Sequence, residues 1–258
     1  MYFSHYFENN VLQAFNGNTF TPVAQLYAAA MISDPTSEDA GTEISYPDYA
    51  RQAITFSAPA ISGGGATITN ANDLAFPESS ATSNTITHFA FYDAPIGGNM
   101  YAYVRLNDPI AVNAGTAPVL TAQNLEYKAT GNFSNYFKMA VLNLFRGQAL
   151  QGFTPYIGLH ASDPDLGNSE LSGGNYARFA IAFGAPAVQP AGQTKITVNA
   201  DFYSDYANSP WGTWGYTAIH NNGTGGNVVA YIKKANDIIM SAPKRAWVGA
   251  GRFSVGMN

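Results

Sequence analysis

Two sets of charged side chains recur in the same order along this chain and could do chemistry. Asp34-Pro35, Glu43 and Arg51 are matched by Asp163-Pro164, Glu170 and Arg178. Carboxylates beside a guanidinium suggest either a calcium site or a general acid–base pair. Calcium wants six or more oxygens, and each set offers two carboxylates with no further ligand to name. The other reading is architectural. Asp before Pro organises a turn, and the arginine clamps the loop through a salt bridge to Asp or Glu. The structural reading is favoured, so the set is expected to hold a loop.

Other routes to chemistry close quickly. The four histidines His5, His88, His160 and His220 face Asn135, Tyr216, Met31 and Tyr92 at the equivalent places of the other half. None stands at metal-ligand spacing from another, and no Gly-x-Ser-x-Gly elbow is present for a nucleophile. The runs Gly63-Gly-Gly65, Gly173-Gly174 and Gly223–Gly226 lack the Lys-Ser/Thr of a phosphate loop and read as turns. There is no cysteine, hence no disulfide or thiolate site. No catalytic, cofactor-binding or metal-binding residue is assigned, no cofactor is expected, and the chain reads as a non-enzyme. Basic pairs occur only at Lys233-Lys234 and Lys244-Arg245 on a chain of net charge −5, which argues against nucleic acid. No apolar run approaches the ~18 residues of a membrane span, so no membrane insertion is expected.

One aromatic stretch differs sharply between the halves. Asp201–Tyr216 contains Tyr203, Tyr206, Trp211 and Trp214, where the first half has Asp73-Leu-Ala-Phe-Pro-Glu and no tryptophan. Aromatics among Asp and Asn suit stacking on sugar rings. They also suit a protein interface or plain core packing. All three readings stay open for these four residues.

The elements that position these groups come twice. Phe133-Ser-Asn-Tyr-Phe repeats Phe3-Ser-His-Tyr-Phe, and Gly225-Gly-Asn repeats Gly97-Gly-Asn, at offsets of 127 to 130 residues. A repeat of that length is a whole domain, giving domains at residues 1–130 and 131–258. Each opens with an amphipathic helix, Phe3, Phe7, Val11 and Phe15 falling at helical spacing like Phe133, Phe137, Val141 and Phe145. Ser4 and Ser134 are the expected N-caps, and Gly17 and Gly147 the expected left-handed ends. Short strands follow, at Gln25–Met31, Arg51–Phe56, Thr67–Asn70, Thr85–Tyr92, Met100–Leu106 and Val119–Tyr127. Their equivalents are Tyr156–His160, Arg178–Phe183, Lys195–Val198, Thr213–His220, Val228–Lys233 and Trp247–Val255. The fold class is mainly β: two tandem β-sandwich-like domains, each with a short N-terminal helix, joined by a short connector near Thr130-Gly-Asn132. Residues 1–132 hold 11 acidic and 3 basic side chains, net −8, while residues 133–258 hold 6 and 9, net +3. Opposite signs on sister domains could steer one copy's first half to another copy's second half. Charged residues make up only 11% against 46% hydrophobic, which suits a surface shielded in an assembly.

The order of motifs resembles a family from tailed bacteriophages known as tail-fibre or virion structural proteins. The resemblance rests on Asp163-Pro164, Glu170-Leu-Ser-Gly-Gly-Asn-Tyr-Ala-Arg178 and Phe183-Gly-Ala-Pro186 in the second half. In the first half it rests on His88-Phe-Ala-Phe-Tyr-Asp93 and Gly97-Gly-Asn99. The first half departs at Ser45-Tyr-Pro-Asp-Tyr49, and the second replaces the His strand with Tyr216-Thr-Ala-Ile-His-Asn221. The resemblance implies a virion location, tail, connector, fibre or capsid proteins as partners, and a homo-oligomer in the particle. A fibre-associated adaptor or collar role is expected, with capsid decoration and host-glycan binding as alternatives.

Overall fold

The computed structural model describes residues 2–82, 84–123, 125–129, 132–167 and 169–257; the connector residues Thr130 and Gly131 lie outside them. Both helices form. α1 (His5–Leu12) and α2 (Asn135–Asn143) each continue into a turn of 3-10 helix, Gln13–Asn16 and Leu144–Arg146. Ser4 and Ser134 Oγ accept from the N–H of Phe7 and Phe137, each at 3.2 Å, satisfying a backbone donor that the helix itself leaves unpaired. The same hydroxyls donate to the carbonyls of Met100 and Val228, so each cap also fastens its helix to a strand. Gly17 and Gly147, at φ of 83° and 76°, end the two helices in the left-handed region.

Each half builds the same sheets. The larger sheet of the first half has the antiparallel order Tyr2–Phe3, Met100–Ala111, Thr85–Tyr92, Leu26–Met31, Gln52–Ile54. The second half orders Val228–Met240, Gly212–His220, Tyr156–His160, Phe179–Ala180. An isolated bridge from Phe133 to Ala230 stands where Phe3 pairs with Ala102. The central hairpin breaks register at the same two places in both halves, between Ile86/His88 and Phe91/Tyr92, and between Trp214/Tyr216 and Ile219/His220. A smaller sheet joins Ala60–Ser62, Gly65–Thr69 and Glu126–Ala129, matched by Ala187–Val188, Thr194–Thr197 and Ser254–Met257.

Two expected strands divide. Val119–Tyr127 becomes Val119–Leu120, paired with Leu74–Ala75, and Glu126–Ala129 in the smaller sheet. Trp247–Val255 becomes Trp247–Val248, paired with Phe202–Tyr203, and Ser254–Met257. Residues at positive φ, Gln123 (62°) and Gly251 (72°), turn the chain from one sheet to the next, which an extended run cannot do. The strands Met100–Ala111 and Val228–Met240 extend beyond their expected ends through mostly exposed residues, the second ending on buried Met240.

The halves share one hydrophobic core, because each helix packs on both of them. α1 lies against Met100–Ala111 of its own half and Thr194–Thr197 of the other; α2 lies against Val228–Met240 and Gly65–Thr69. The ring contacts are reciprocal. Phe7 meets Phe145 at 5.2 Å between centroids and Phe137 meets Phe15 at 5.5 Å. Phe145 meets Phe56 at 5.4 Å and Phe15 meets Phe183 at 5.8 Å. Phe20 and Leu150, equivalent positions, exchange both backbone hydrogen bonds at 2.9 Å. Contacts of i with j and of j with i define an isologous two-fold, here within one chain. The symmetry breaks at Glu8, buried in α1, which accepts from Thr194 Oγ1 across the seam at 2.5 Å. Its counterpart is Lys138, also buried.

Candidate functional site

The recurring charged set assembles as a loop clamp. Arg51 donates from Nε and Nη2 to Glu43 at 2.8–3.1 Å, and Arg178 does the same to Glu170 at 2.6–2.7 Å. Tyr49 and Tyr176 hydroxyls donate to the same glutamates at 2.8 and 2.9 Å. They accept from the N–H of Ala30 and Leu159, each at 2.9 Å. The remaining arginine nitrogen, Nη1, reaches the hairpin loop: Arg51 donates to the carbonyls of Ala94 and Gly97 at 3.1 and 2.6 Å. Arg178 donates to those of Asn222 and Gly225 at 2.8 and 2.6 Å. The glycines make this loop possible, with Gly97, Gly98, Gly225 and Gly226 all between φ of 62° and 76°.

Asp34 and Asp163 stand apart from the clamp. Their Oδ1 atoms accept from the N–H two residues on, Thr36 and Asp165, each at 2.9 Å. The arginines therefore pair with Glu43 and Glu170, and the aspartates organise turns. Burial alone would raise the Glu170 carboxyl, but the hydrogen bonds from Arg178 and Tyr176 outweigh it and hold it below the usual range.

A histidine pair that spacing did not reveal sits beside the second clamp. His160 and His220 are buried, with Nε2 atoms 3.0 Å apart and rings inclined by 11°. Ser169 Oγ donates to the Ser162 carbonyl at 2.8 Å and so accepts from His160 Nδ1–H at 3.3 Å. His220 Nε2–H then donates to His160, leaving His220 Nδ1 without a hydrogen-bond partner. Gly158 makes the room, since a Cβ there would lie 2.6 Å from His220 Nε2. The first half fills this place with Met31 and Tyr92 in a small apolar cluster.

Ligand atoms of His160, Glu170 and His220 lie within 4.8 Å of one another. These are metal-ligand types, but Glu170 is already held by Arg178 and Tyr176, and the nearby guanidinium opposes a second positive charge. The arrangement fits a neutral hydrogen-bonded pair better. Burial and then Arg178 push His220 down to about 3, and burial also lowers His160. A depressed histidine adds stability above its unfolded pKa of 6.5 that is lost as pH falls toward the folded value. His220 alone should cost about 1.4 kcal/mol per pH unit below that point. Replacing the pair by its first-half counterparts, His160→Met with His220→Tyr, should shrink the loss of melting temperature between pH 7 and pH 5. An unchanged loss would clear the pair of that role.

The four aromatic candidates separate into two environments. Trp211 and Trp214 are buried. Trp214 takes the core position of Ile86, with its Nε1 donating to Thr217 Oγ1 at 3.2 Å and Lys234 over its ring at 3.9 Å. Trp211 packs edge-on against Tyr176 at 5.3 Å. In the first half Tyr46 and Phe76 cover the matching Tyr49, at 5.2 and 6.0 Å. Gly173 and Ser204 stand at those two places in the second half, and Trp211 fills the volume they leave. Neither indole is open to a glycan or a partner. Tyr203 and Tyr206, by contrast, are 44% and 56% exposed, and they share their surface with Trp247, 42% exposed. The signal for Trp247 was its alignment with Val119 of the first half.

Among the described residues, no helix is long and apolar enough to cross a membrane. None of the curated proteins matches the chain. The family described as Podophage GP4 fiber I protein gp80 matches residues 2–128 and again 132–238, one match to each half. With nearly the whole length covered, in two segments that fit a tandem duplication, the chain belongs to this phage fibre family and is a virion component.

Proposed function

We propose that the chain is a compact, non-enzymatic adaptor or collar piece that joins fibre to tail through fixed protein–protein contacts. The observation that carries this is the shared core: helices that each pack on both halves bind them into one body, which suits a joint better than a shaft. The clamps support it, because they spend their charged groups on fixing hairpin loops in place. Net charges of −8 and +3 on the two halves favour head-to-tail contacts between copies, and such contacts close into a ring or run on as a filament.

Immunogold labelling of intact particles with antibody against the purified chain tests the placement. Label at the neck or tail is the expected result. Label spread over the head would replace the adaptor with a capsid decoration protein. Absence of label with a demonstrably accessible epitope would sink the surface placement.

A further inference from the structure

We propose that the second half carries a binding site for an acidic polysaccharide, a chain of uronic-acid sugars, on an exposed ladder of aromatic rings and guanidinium groups. Tyr203 and Trp247 are direct cross-strand neighbours, with rings 6.5 Å apart and inclined by 23°. Arg245 lies over Tyr203 at 4.1 Å and over Tyr206 at 4.8 Å, and Arg252 lies 5.4 Å from Trp247. The surface thus runs Arg252, Trp247, Tyr203, Arg245, Tyr206, and all five side chains are exposed.

The first half shows that the fold does not need the ladder. Its equivalent strand pair, Leu74–Ala75 with Val119–Leu120, has the same register. Ala75 stands for Tyr203, Val119 for Trp247, Glu78 for Tyr206 and Ala117 for Arg245. Large aromatics left in water by a scaffold that forms without them mark a contact surface.

The arginines indicate what that contact is. Arg51 and Arg178 use their donors on glutamate and loop carbonyls. Among the described residues, the side chains of Arg245 and Arg252 make neither an ion pair nor a hydrogen bond; they lie against rings with their guanidinium donors open. An open guanidinium fork matches a carboxylate. Rings beside cations match a chain in which flat pyranose faces carry carboxylates at intervals. Asp201, whose carboxylate accepts from Ala250 N–H at 2.8 Å and Tyr203 Oη at 3.4 Å, supplies a fixed acceptor for sugar hydroxyls.

The site stands on these residues and does not depend on where the chain sits in the particle. The test is titration of the purified full chain with polygalacturonate, alginate and hyaluronate, followed by calorimetry and Trp fluorescence. At least one should bind, more weakly at high salt. Arg245→Gln and Tyr203→Ala should each weaken binding about tenfold or more. Arg105→Gln, at an exposed first-half arginine, should change nothing, and melting should confirm that all variants fold. Absence of binding to all three polymers would overturn the site. So would equal binding of fully methyl-esterified polygalacturonate, or an equal loss with Arg105→Gln. If Tyr203→Ala instead dissociates an oligomer and leaves polysaccharide binding unchanged, the ladder is a contact between copies.

Discussion

Phe145→Ala should destabilise the whole chain by about 3–5 kcal/mol, lowering one melting transition that both halves share. The residue belongs to the second half, yet its ring contacts lie in the first: Phe7 at 5.2 Å, Phe56 at 5.4 Å, Phe3 at 6.2 Å and Tyr101 at 6.3 Å. Truncation leaves a cavity among aromatics held by a sheet, a helix and the bridge between Phe56 and Asn70, where collapse is restricted. Calorimetry is the direct check, because a single cooperative unit gives equal calorimetric and van't Hoff enthalpies. Two endotherms, with only one shifted by the substitution, would show that each half keeps a core of its own. Phe7→Ala should mirror the effect, since Phe7 is the other end of the same contact.

Arg178→Ala should cost about 3 kcal/mol, the low end of the range for breaking a buried pair, because this one is only partly buried. The loss has two parts: the fork to Glu170 and the two loop carbonyls at Asn222 and Gly225. The field that adds to burial in lowering His220 goes with them, which eases protonation of the pair in acid. Glu170 would be left half-buried with the Tyr176 hydroxyl, and desolvation would then raise its carboxyl. The sign with pH follows. A carboxyl held low in the fold adds stability above its unfolded pKa and loses it as pH falls, so the variant should lose acid sensitivity along with stability. Arg178→Lys keeps the charge without the planar fork and should recover only part of the melting temperature. A variant that melts like the wild type would remove the clamp from the account of stability.

Local signals carried much of the fold. The helices, their serine caps and their glycine ends follow from residues within one or two turns, and the strands Thr85–Tyr92 and Tyr156–His160 keep their expected bounds. The shared core was not legible, because the Phe7–Phe145 periodicity says that a face is buried, not which half buries it. Strand breaks at Gln123 and Gly251 depend on single backbone angles inside otherwise extended runs.

The site was legible in part for similar reasons. Glu and Arg recur at one spacing within each half, so the clamp could be inferred, though not which acid the arginine would choose. The histidines lie 60 residues apart, and each aligned with a non-histidine. Their equivalents Met31 and Tyr92 share an apolar cluster, and only that shared face brings the two together. Trp211 was hidden by compensation: its burial depends on volume given up at Gly173 and Ser204, on separate segments of the chain.

The internal two-fold also sets valency. A dimer of identical chains must show every surface feature twice, in opposed orientations, and any new contact arises in pairs. Here the two sides of the axis are separate stretches of sequence. Tyr203 and Trp247 could be placed on one side while Ala75 and Val119 remained on the other. Each body therefore offers one aromatic face with a definite direction, and an array of such bodies can turn all of those faces the same way.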